Sequence, residues 1–334
     1  MRVGHSASHV RIETVDYHTA GEPFRIVTGG VEPLRGRTIL DKRRDAAERL
    51  DDVRRLLVHE PRGHADMYGC FVTEPEDGGA DLGGVFFHNA GYSTACGHGT
   101  IALATWALES GVLGTTEGET ELTIDVPSGR LPVRVEVSRG RVERVRFRNV
   151  PAFVAAEGLH VAGLQVDVAF GGAFYGSVEL DGEIRPAELP RLIELGRRVK
   201  RELEAERDWA HPEEPELRDI YGVIFFQPEP GGHSELRQRN VTVFADGEVD
   251  RSPCGSGTSA RLALLDARGE LPRGAKLRHL SIVGTEFEGR VVGEAEVAGV
   301  PAVVTEIAGA AHLTGRHEFV LEPDDEVGTG FLLR

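Results

Sequence analysis

The sequence predicts an α+β protein built from two homologous halves. The pentapeptide Cys-Gly-X-Gly-Thr occurs twice, at residues 96–100 and at residues 254–258, so the copies lie 158 residues apart (254 − 96 = 158). Each copy follows a strand-like run and precedes an apolar run of helical length. Two strand–turn–helix units of this kind are typical of an internal duplication.

Further matches extend the repeat beyond the cysteines. Gly111 and Gly269 lie at the same offset and are placed to end the two helices. Leu122-Thr123-Ile124 likewise corresponds to Leu280-Ser281-Ile282, which predicts a matched strand after each helix. We expect one half to comprise residues 1–150 with 315–334 and the other residues 151–314, related by a pseudo-twofold axis with the active site in the cleft between them.

The remaining elements follow from periodicity and from glycine and proline positions. Residues 43–60 and 187–205 carry apolar side chains at helical spacing with charges elsewhere, and Pro190 is tolerable in a first helical turn. The predicted strands are residues 10–27 (two strands around a glycine turn), 67–73, 81–87, 168–178, 222–226 and 241–245.

Composition limits the classes of partner. The chain has 334 residues, 40% hydrophobic and 28% charged, as in a folded globular protein, and its net charge of −16 argues against nucleic acid or an anionic membrane as a partner. No apolar run reaches the length of a membrane span, and the first residues lack the apolar core of a signal peptide. Three cysteines do not form a disulfide framework, so we expect a cytoplasmic protein with reduced thiols.

The two thiol turns carry the predicted chemistry. A helix that begins directly after Cys96 or Cys254 offers free amide N–H groups and a partial positive charge, which bind a carboxylate. The same charge is expected to lower the pKa of each thiol. Two facing thiols could remove an α-proton from one side of a bound amino acid and return a proton on the other side, while the amides stabilise the carbanion.

Other readings of these residues stay open. Cys96, His98 and Cys254 could bind zinc, but paired ligand spacing and a fourth ligand are missing. A Cys–His hydrolase would leave the second thiol unexplained. His98 and Asp250 could contact substrate or cap turns, whereas Cys70, in a strand-like run, is predicted to be a small core residue.

The chain resembles the proline racemase family, whose fold is shared with diaminopimelate epimerase. The motifs that carry the resemblance are HTAGEP (18–23), RGHADMYG (62–69), HNAGYSTACGHGT (88–100), VDVAFGGAFY (166–175), DRSPCGSGTSA (250–260) and LTGRHEFVLEPDD (313–325). The resemblance implies a curved, mostly antiparallel sheet around a central helix in each half. It also implies catalysis without a cofactor or metal, with Cys96 and Cys254 as the acid/base pair. The positions that match substrate contacts are Gly97, His98, Asp250, Gly255 and Ser256.

Three activities recur in this family: proline racemisation, 4-hydroxyproline 2-epimerisation and trans-3-hydroxyproline dehydration. The dehydratases resemble this chain around both turns but carry Thr in place of the second cysteine. Because Cys254 is present here, the resemblance favours inversion, with trans-4-hydroxy-L-proline as substrate and cis-4-hydroxy-D-proline as product. The expected partner is a small imino acid, a homodimer is left open, and a non-catalytic amino-acid-binding module is the remaining alternative.

Overall fold

The computed structural model describes residues 10–230 and 235–333, which form a mixed α+β fold dominated by strands. The expectation about a signal peptide rests partly on residues 1–9, which lie outside the described residues. The strands are β1 (Val10–Thr19), β2 (Glu22–Gly29), β3 (Tyr68–Thr73), β4 (Leu82–His88), β5 (Gly91–Tyr92), β6 (Gly118–Val126), β7 (Gly129–Ser138), β8 (Arg141–Arg148), β9 (Ala152–Val161), β10 (Leu164–Phe170), β11 (Phe174–Glu179), β12 (Ile220–Pro228), β13 (Glu235–Phe244), β14 (Glu248–Asp250), β15 (Lys276–Leu280), β16 (Glu286–Val297), β17 (Val300–Gly309) and β18 (Ala311–Leu321). The helices are α1 (Ile39–Arg49), α2 (Asp51–Val58), α3 (Gly97–Glu109), α4 (Leu189–Glu206) and α5 (Gly255–Ala267), with a short 3-10 turn at Pro186–Glu188.

The strands pair into a closed barrel. One circuit runs β9–β10–β11–β12–β13–β15–β16–β17 and closes where β17 pairs with β9, at Ala302 opposite Phe153. A second series runs β18–β1–β2–β3–β4–β6–β7–β8 and then pairs with the end of β17. The pairs β2–β3, β4–β6, β11–β12 and β13–β15 are parallel, and the other pairs are antiparallel.

Helices α3 and α5 are each enclosed by strands. In α3 every residue except Glu109 is buried, and its neighbours include β1, β2, β8 and β18, whereas α5 lies against β9, β10, β16 and β17. Apart from the buried Arg261 of α5, the buried residues of both helices are mostly apolar or small, as expected of a helix with no face toward water. The predicted glycine stops are confirmed, since Gly111 (φ +75°) and Gly269 (φ +66°) follow the two helices in left-handed conformations.

Three predicted elements differ from the structure. The single helix expected over residues 43–60 is two helices, α1 and α2, because the backbone of Leu50 (φ −116°, ψ 14°) leaves the helical region while its side chain is buried beside Leu56 and Leu57. The strand expected at Leu280-Ser281-Ile282 ends at Leu280, because the Ser281 hydroxyl bonds Thr285 and closes a turn. The strand expected over residues 168–178 is two antiparallel strands, β10 and β11, because Gly172 (φ +98°) lies in a bend that reverses the chain. The other predicted strands are present, and Pro190 lies in the first turn of α4 as expected.

The helices do not include a membrane span. Among residues 10–230 and 235–333, none of them is both long enough and apolar enough to cross a bilayer.

Candidate active site

Helices α3 and α5 meet at their N-termini. A Cβ atom placed on Gly97 would lie 2.5 Å from the Cα of Gly255, and one placed on Gly255 would lie 2.7 Å from the Cα of Gly97. Real Cβ atoms do not approach backbone that closely, so only glycine fits at these two positions. The first glycine of each pentapeptide therefore allows direct contact between the two turns.

The second glycine of each pentapeptide makes room for the sulfur. A Cβ on Gly99 would lie 2.6 Å from Cys96 Sγ, and a Cβ on Gly257 would lie 2.9 Å from Cys254 Sγ. Each thiol consequently lies over the first turn of its own helix.

The threonine that ends each pentapeptide secures the same turn. The Thr100 hydroxyl donates to the carbonyl of Cys96 at 2.9 Å, and the Thr258 hydroxyl donates to the carbonyl of Cys254 at 2.8 Å. All the fixed positions of Cys-Gly-X-Gly-Thr thus have a physical role in one geometry.

The seven site residues proposed from the sequence lie together. They line one small, tightly closed cavity. The larger surface depressions contain neither cysteine of the two turns. The predicted residues in this lining are Cys96, Gly97, His98, Asp250, Cys254, Gly255 and Ser256. The sequence analysis missed the rest of the lining: Tyr68, Ala95, Tyr175, Tyr221 and Phe244.

A repeat signal for two of the missed residues is present in the sequence. Tyr68-Gly69 begins β3 and Tyr221-Gly222 lies at the start of β12, and each of these strands pairs in parallel with the strand before it. The two Tyr-Gly pairs lie 153 residues apart (221 − 68 = 153), so a comparison upstream of the cysteines would have matched them only with a five-residue gap relative to the 158-residue offset.

The environment of Cys96 opposes the predicted lowering of its pKa. Its sulfur accepts a hydrogen bond from the Gly99 N–H at 3.2 Å, as expected of a group that caps a helix, and the imidazole nitrogens of His98 lie 3.5 and 3.6 Å away. Burial nevertheless raises the pKa of Cys96 well above its ordinary value, and the nearby Asp250 carboxylate adds to the rise. The expectation of a lowered pKa was therefore wrong for this thiol, because desolvation outweighs the amide contact.

Cys254 is placed differently from Cys96. Its backbone is left-handed (φ +62°), whereas that of Cys96 is extended (φ −152°). Its thiol lies 3.8 Å from the Tyr175 hydroxyl, which is itself 2.7 Å from the Ser256 hydroxyl. Burial, followed by the charge of Asp250, raises the pKa of Cys254 to about 12, so the predicted lowering was wrong here too.

The two titratable neighbours of the thiols are also shifted by burial. Burial lowers the pKa of His98 to about 3, so its imidazole is neutral, and its ring lies edge-on to Phe24 and Tyr68. Burial raises the pKa of Asp250 to about 6, although the Ser252 N–H donates to this carboxylate at 2.7 Å. Asp250 is thus ionised above that pH and can pair with a cation in the cavity.

An ion pair and a hydrogen bond fix the loop between Asp250 and Cys254. The N–H of Arg251 donates to the fully buried carboxyl of Glu22 on β2 at 2.6 Å, and its guanidinium lies 3.0 Å from Asp66 before β3. Two acidic residues from the first 66 residues of the chain therefore hold the second thiol turn in place. Within residues 10–230 and 235–333, no three His, Cys, Asp or Glu side chains are grouped as ligands for one metal ion.

The chain is similar to known proteins over nearly its whole length. A family model described as proline racemase matches residues 14–332. The 3-hydroxyproline 2-epimerase of Burkholderia multivorans is 45% identical over 97% of this chain and 98% of that protein. A trans-3-hydroxy-L-proline dehydratase of Bacillus cereus is 43% identical over 96% of this chain and 97% of that protein.

A solved structure shows the same similarity in three dimensions. The crystal structure of a hydroxyproline epimerase from Agrobacterium vitis, with bound trans-4-OH-L-proline, superposes with a TM-score of 0.90 at 30% identity. The alignment covers 97% of this chain and 96% of that one.

Proposed function

The chain belongs to the proline racemase family and is an enzyme of the racemase and epimerase class, and we propose that it inverts the α-carbon of a hydroxyproline without a cofactor. One observation carries this proposal. Two cysteines, each at the start of a buried helix, line the same small cavity where those helices touch. A site that only binds an amino acid has no need of the second thiol.

In the proposed reaction Cys96 and Cys254 are the acid/base pair. The thiolate of one takes the α-proton, so that a C–H bond breaks and an S–H bond forms. The thiol of the other then gives its proton to the opposite face of the carbanion. The first-turn amides of α3 and α5, other than those of Gly99 and Gly257 that contact the thiols, would stabilise the charge that develops on the substrate carboxylate.

Substrate binding helps to form the thiolate that the reaction needs. The charge of Asp250 contributes to the raised pKa of both thiols. A cationic ring nitrogen paired with Asp250 would neutralise that charge and so favour ionisation of one thiol. We propose this as the role of Asp250, with Gly97, His98, Gly255 and Ser256 as the other substrate contacts.

The position of the ring hydroxyl is the finer part of the proposal. The relatives at 43% and 45% identity are named for 3-hydroxyproline, whereas the structural neighbour at 30% identity holds trans-4-OH-L-proline. We therefore place 3-hydroxyproline first, and the trans-4-hydroxy-L-proline substrate expected from the sequence becomes the alternative.

Dehydration of trans-3-hydroxy-L-proline is the second candidate function, favoured by the name of the Bacillus cereus relative. In that reaction a base removes the α-proton and the 3-hydroxyl leaves as water. No acid is therefore needed on the face of the α-carbon opposite the base. The presence of Cys254, where the resemblance implies Thr in dehydratases, supports inversion over elimination.

We also propose that the two halves arose by duplication. Helix α3 follows the fifth strand and α5 the fourteenth, and the parallel pairs β2–β3 and β4–β6 have counterparts nine strands later in β11–β12 and β13–β15. We keep the division after residue 150 expected from the sequence. We place the final boundary at residue 310, before β18, because β18 pairs with β1 throughout its length.

Deuterium incorporation tests the proposed function. The purified enzyme is incubated in deuterium oxide with L-proline and with the cis and trans isomers of 3- and 4-hydroxyproline. We expect α-deuterated product of inverted configuration from a hydroxyproline, followed by mass spectrometry and chiral chromatography. Release of a dehydrated imine without inverted product would instead favour the dehydratase, and absence of α-exchange with every substrate would contradict both.

The activity is expected to rise with pH. The pKa of each thiol is raised by burial, to about 12 for Cys254, so the thiolate fraction grows as the pH rises toward those values. The logarithm of kcat/KM should therefore increase with a slope of about 1 between about pH 7 and pH 9. Below about pH 6 the slope should approach about 2, since Asp250 also becomes protonated there. A maximum at or below neutral pH would contradict this assignment of ionisation states.

A further inference from the structure

Two tyrosine hydroxyls meet in the wall of the thiol cavity. The hydroxyl oxygens of Tyr68 and Tyr221 are 2.8 Å apart, and both residues line the cavity together with Cys96 and Cys254. The two tyrosines come from different parts of the barrel, at the starts of β3 and β12. Neither hydroxyl has a role in the acid/base chemistry proposed above.

The direction of the hydrogen bonds leaves one acceptor free. Tyr68 donates its single phenolic proton to the Ser93 hydroxyl at 2.5 Å. The 2.8 Å contact between the phenols therefore requires Tyr221 to donate to Tyr68. Burial raises the pKa of both phenols well above the ordinary value, so both keep their protons at neutral pH. Tyr221 is left with an oxygen lone pair that can accept a further hydrogen bond.

The groups in contact with the Tyr221 ring are apolar or already hydrogen-bonded. The Tyr175 hydroxyl is already engaged with Ser256 at 2.7 Å. Phe244 stacks on Tyr221 with ring centroids 5.5 Å apart and an interplanar angle of 17°, which provides an apolar face for ring methylenes. Tyr68 is only 3% exposed, whereas Tyr221 is partly exposed and so more accessible to a ligand that enters the cavity.

We propose that Tyr221, oriented by Tyr68 and Ser93, accepts a hydrogen bond from the ring hydroxyl of the substrate and so determines selectivity for hydroxyprolines over proline. The inference rests on the proposed function. A hydroxyl on the pyrrolidine ring has a proton to donate to the phenol oxygen, and the methylene of proline has none. The selectivity therefore resides in one oxygen atom that is remote from both thiols in sequence.

The substitution Tyr221→Phe tests this directly, because it removes the acceptor and keeps the ring that stacks on Phe244. We expect kcat/KM for the preferred hydroxyproline to fall about 10-fold more than kcat/KM for proline, as for loss of one neutral hydrogen bond. Tyr68→Phe should reduce the ratio of kcat/KM for hydroxyproline to kcat/KM for proline by a smaller factor, since Tyr221 loses its orienting partner. The matched control is Tyr92→Phe. The hydroxyl of Tyr92 donates to the Ala46 carbonyl outside the cavity, so its loss should leave the ratio of kcat/KM for hydroxyproline to kcat/KM for proline unchanged.

Binding separates failure of this inference from failure of the proposed function. Calorimetric Kd values for proline, 3-hydroxyproline and 4-hydroxyproline are measured for the wild type and Tyr221→Phe, independently of turnover. Loss of preference for one hydroxyproline in Tyr221→Phe supports the inference and identifies the carbon that bears the recognised hydroxyl, even if no inversion is detected. An unchanged ratio of hydroxyproline to proline in both binding and turnover overturns the inference while leaving the epimerase proposal intact.

Discussion

Replacing Cys254 by threonine is expected to reduce inversion of hydroxyproline by about 10²–10⁴-fold in kcat/KM, the usual contribution of one general acid or base. A threonine hydroxyl does not ionise near neutral pH, so it cannot act as the base, and it is a poor donor to a carbanion. The opposite thiol, Cys96, is untouched by the change. The Cys254→Thr variant should therefore still exchange the α-proton of one enantiomer with solvent deuterium without producing the other.

Two further variants make the test specific. Cys96→Ser should also abolish inversion. This variant should still exchange the α-proton of one enantiomer with solvent deuterium, and that enantiomer should be the one whose α-proton Cys254→Thr no longer exchanges. Cys70→Ala is the control, because Cys70 is a buried thiol of β3 that does not line the cavity. Full inversion by Cys254→Thr would refute the acid/base role of this cysteine. Loss of inversion together with new release of dehydrated product would show that the second thiol decides between the two chemistries.

The sequence contained more information about the residues of the thiol turns than about the other residues that line the cavity. The repeated Cys-Gly-X-Gly-Thr contains six of the seven predicted lining residues, because each turn is a local structure whose glycines are adjacent to the cysteine, and Asp250 lies four residues before the second copy. Tyr68, Tyr175 and Tyr221 reach the cavity from strands that are distant in the chain, so only the folded barrel brings them together. A central helix in each half was implied by the resemblance to the proline racemase family, and α3 and α5 are each enclosed by strands, whereas the strand order was not predicted.

The ionisation of the thiols could not be predicted from the same local pattern. A helix N-terminus lowers the pKa of an exposed thiol, and the Gly99 contact with Cys96 is present as expected. Burial is set by how tightly the two turns pack against each other and against the tyrosines, and it raises both pKa values. The break between α1 and α2 has a similar origin, because burial of Leu50 outweighs the helical periodicity of that segment.

The substitution Gly97→Ala is expected to have an effect comparable to that of losing a cysteine, although it adds only a methyl group. The added Cβ would lie 2.5 Å from the Cα of Gly255, and backbone on both sides cannot move aside as a side chain can. Helices α3 and α5 must therefore separate, which carries the two thiols apart. A misplacement of about 1 Å can cost about 10²-fold in rate, and we expect at least that loss in kcat/KM.

Matched glycine variants distinguish this contact from a general intolerance of alanine. Gly255→Ala should lose as much activity as Gly97→Ala, because the contact is reciprocal at 2.7 Å. Gly99→Ala should also lose activity, but for another reason, since its Cβ would displace the sulfur of Cys96 and the buried ring of Phe24 rather than separate the helices. Gly114→Ala, with no atom within 4 Å of the new methyl, should leave both kcat/KM and Tm unchanged. Wild-type activity in a folded Gly97→Ala enzyme would contradict the direct contact of the two helix N-termini, since no position of the new methyl group is compatible with it.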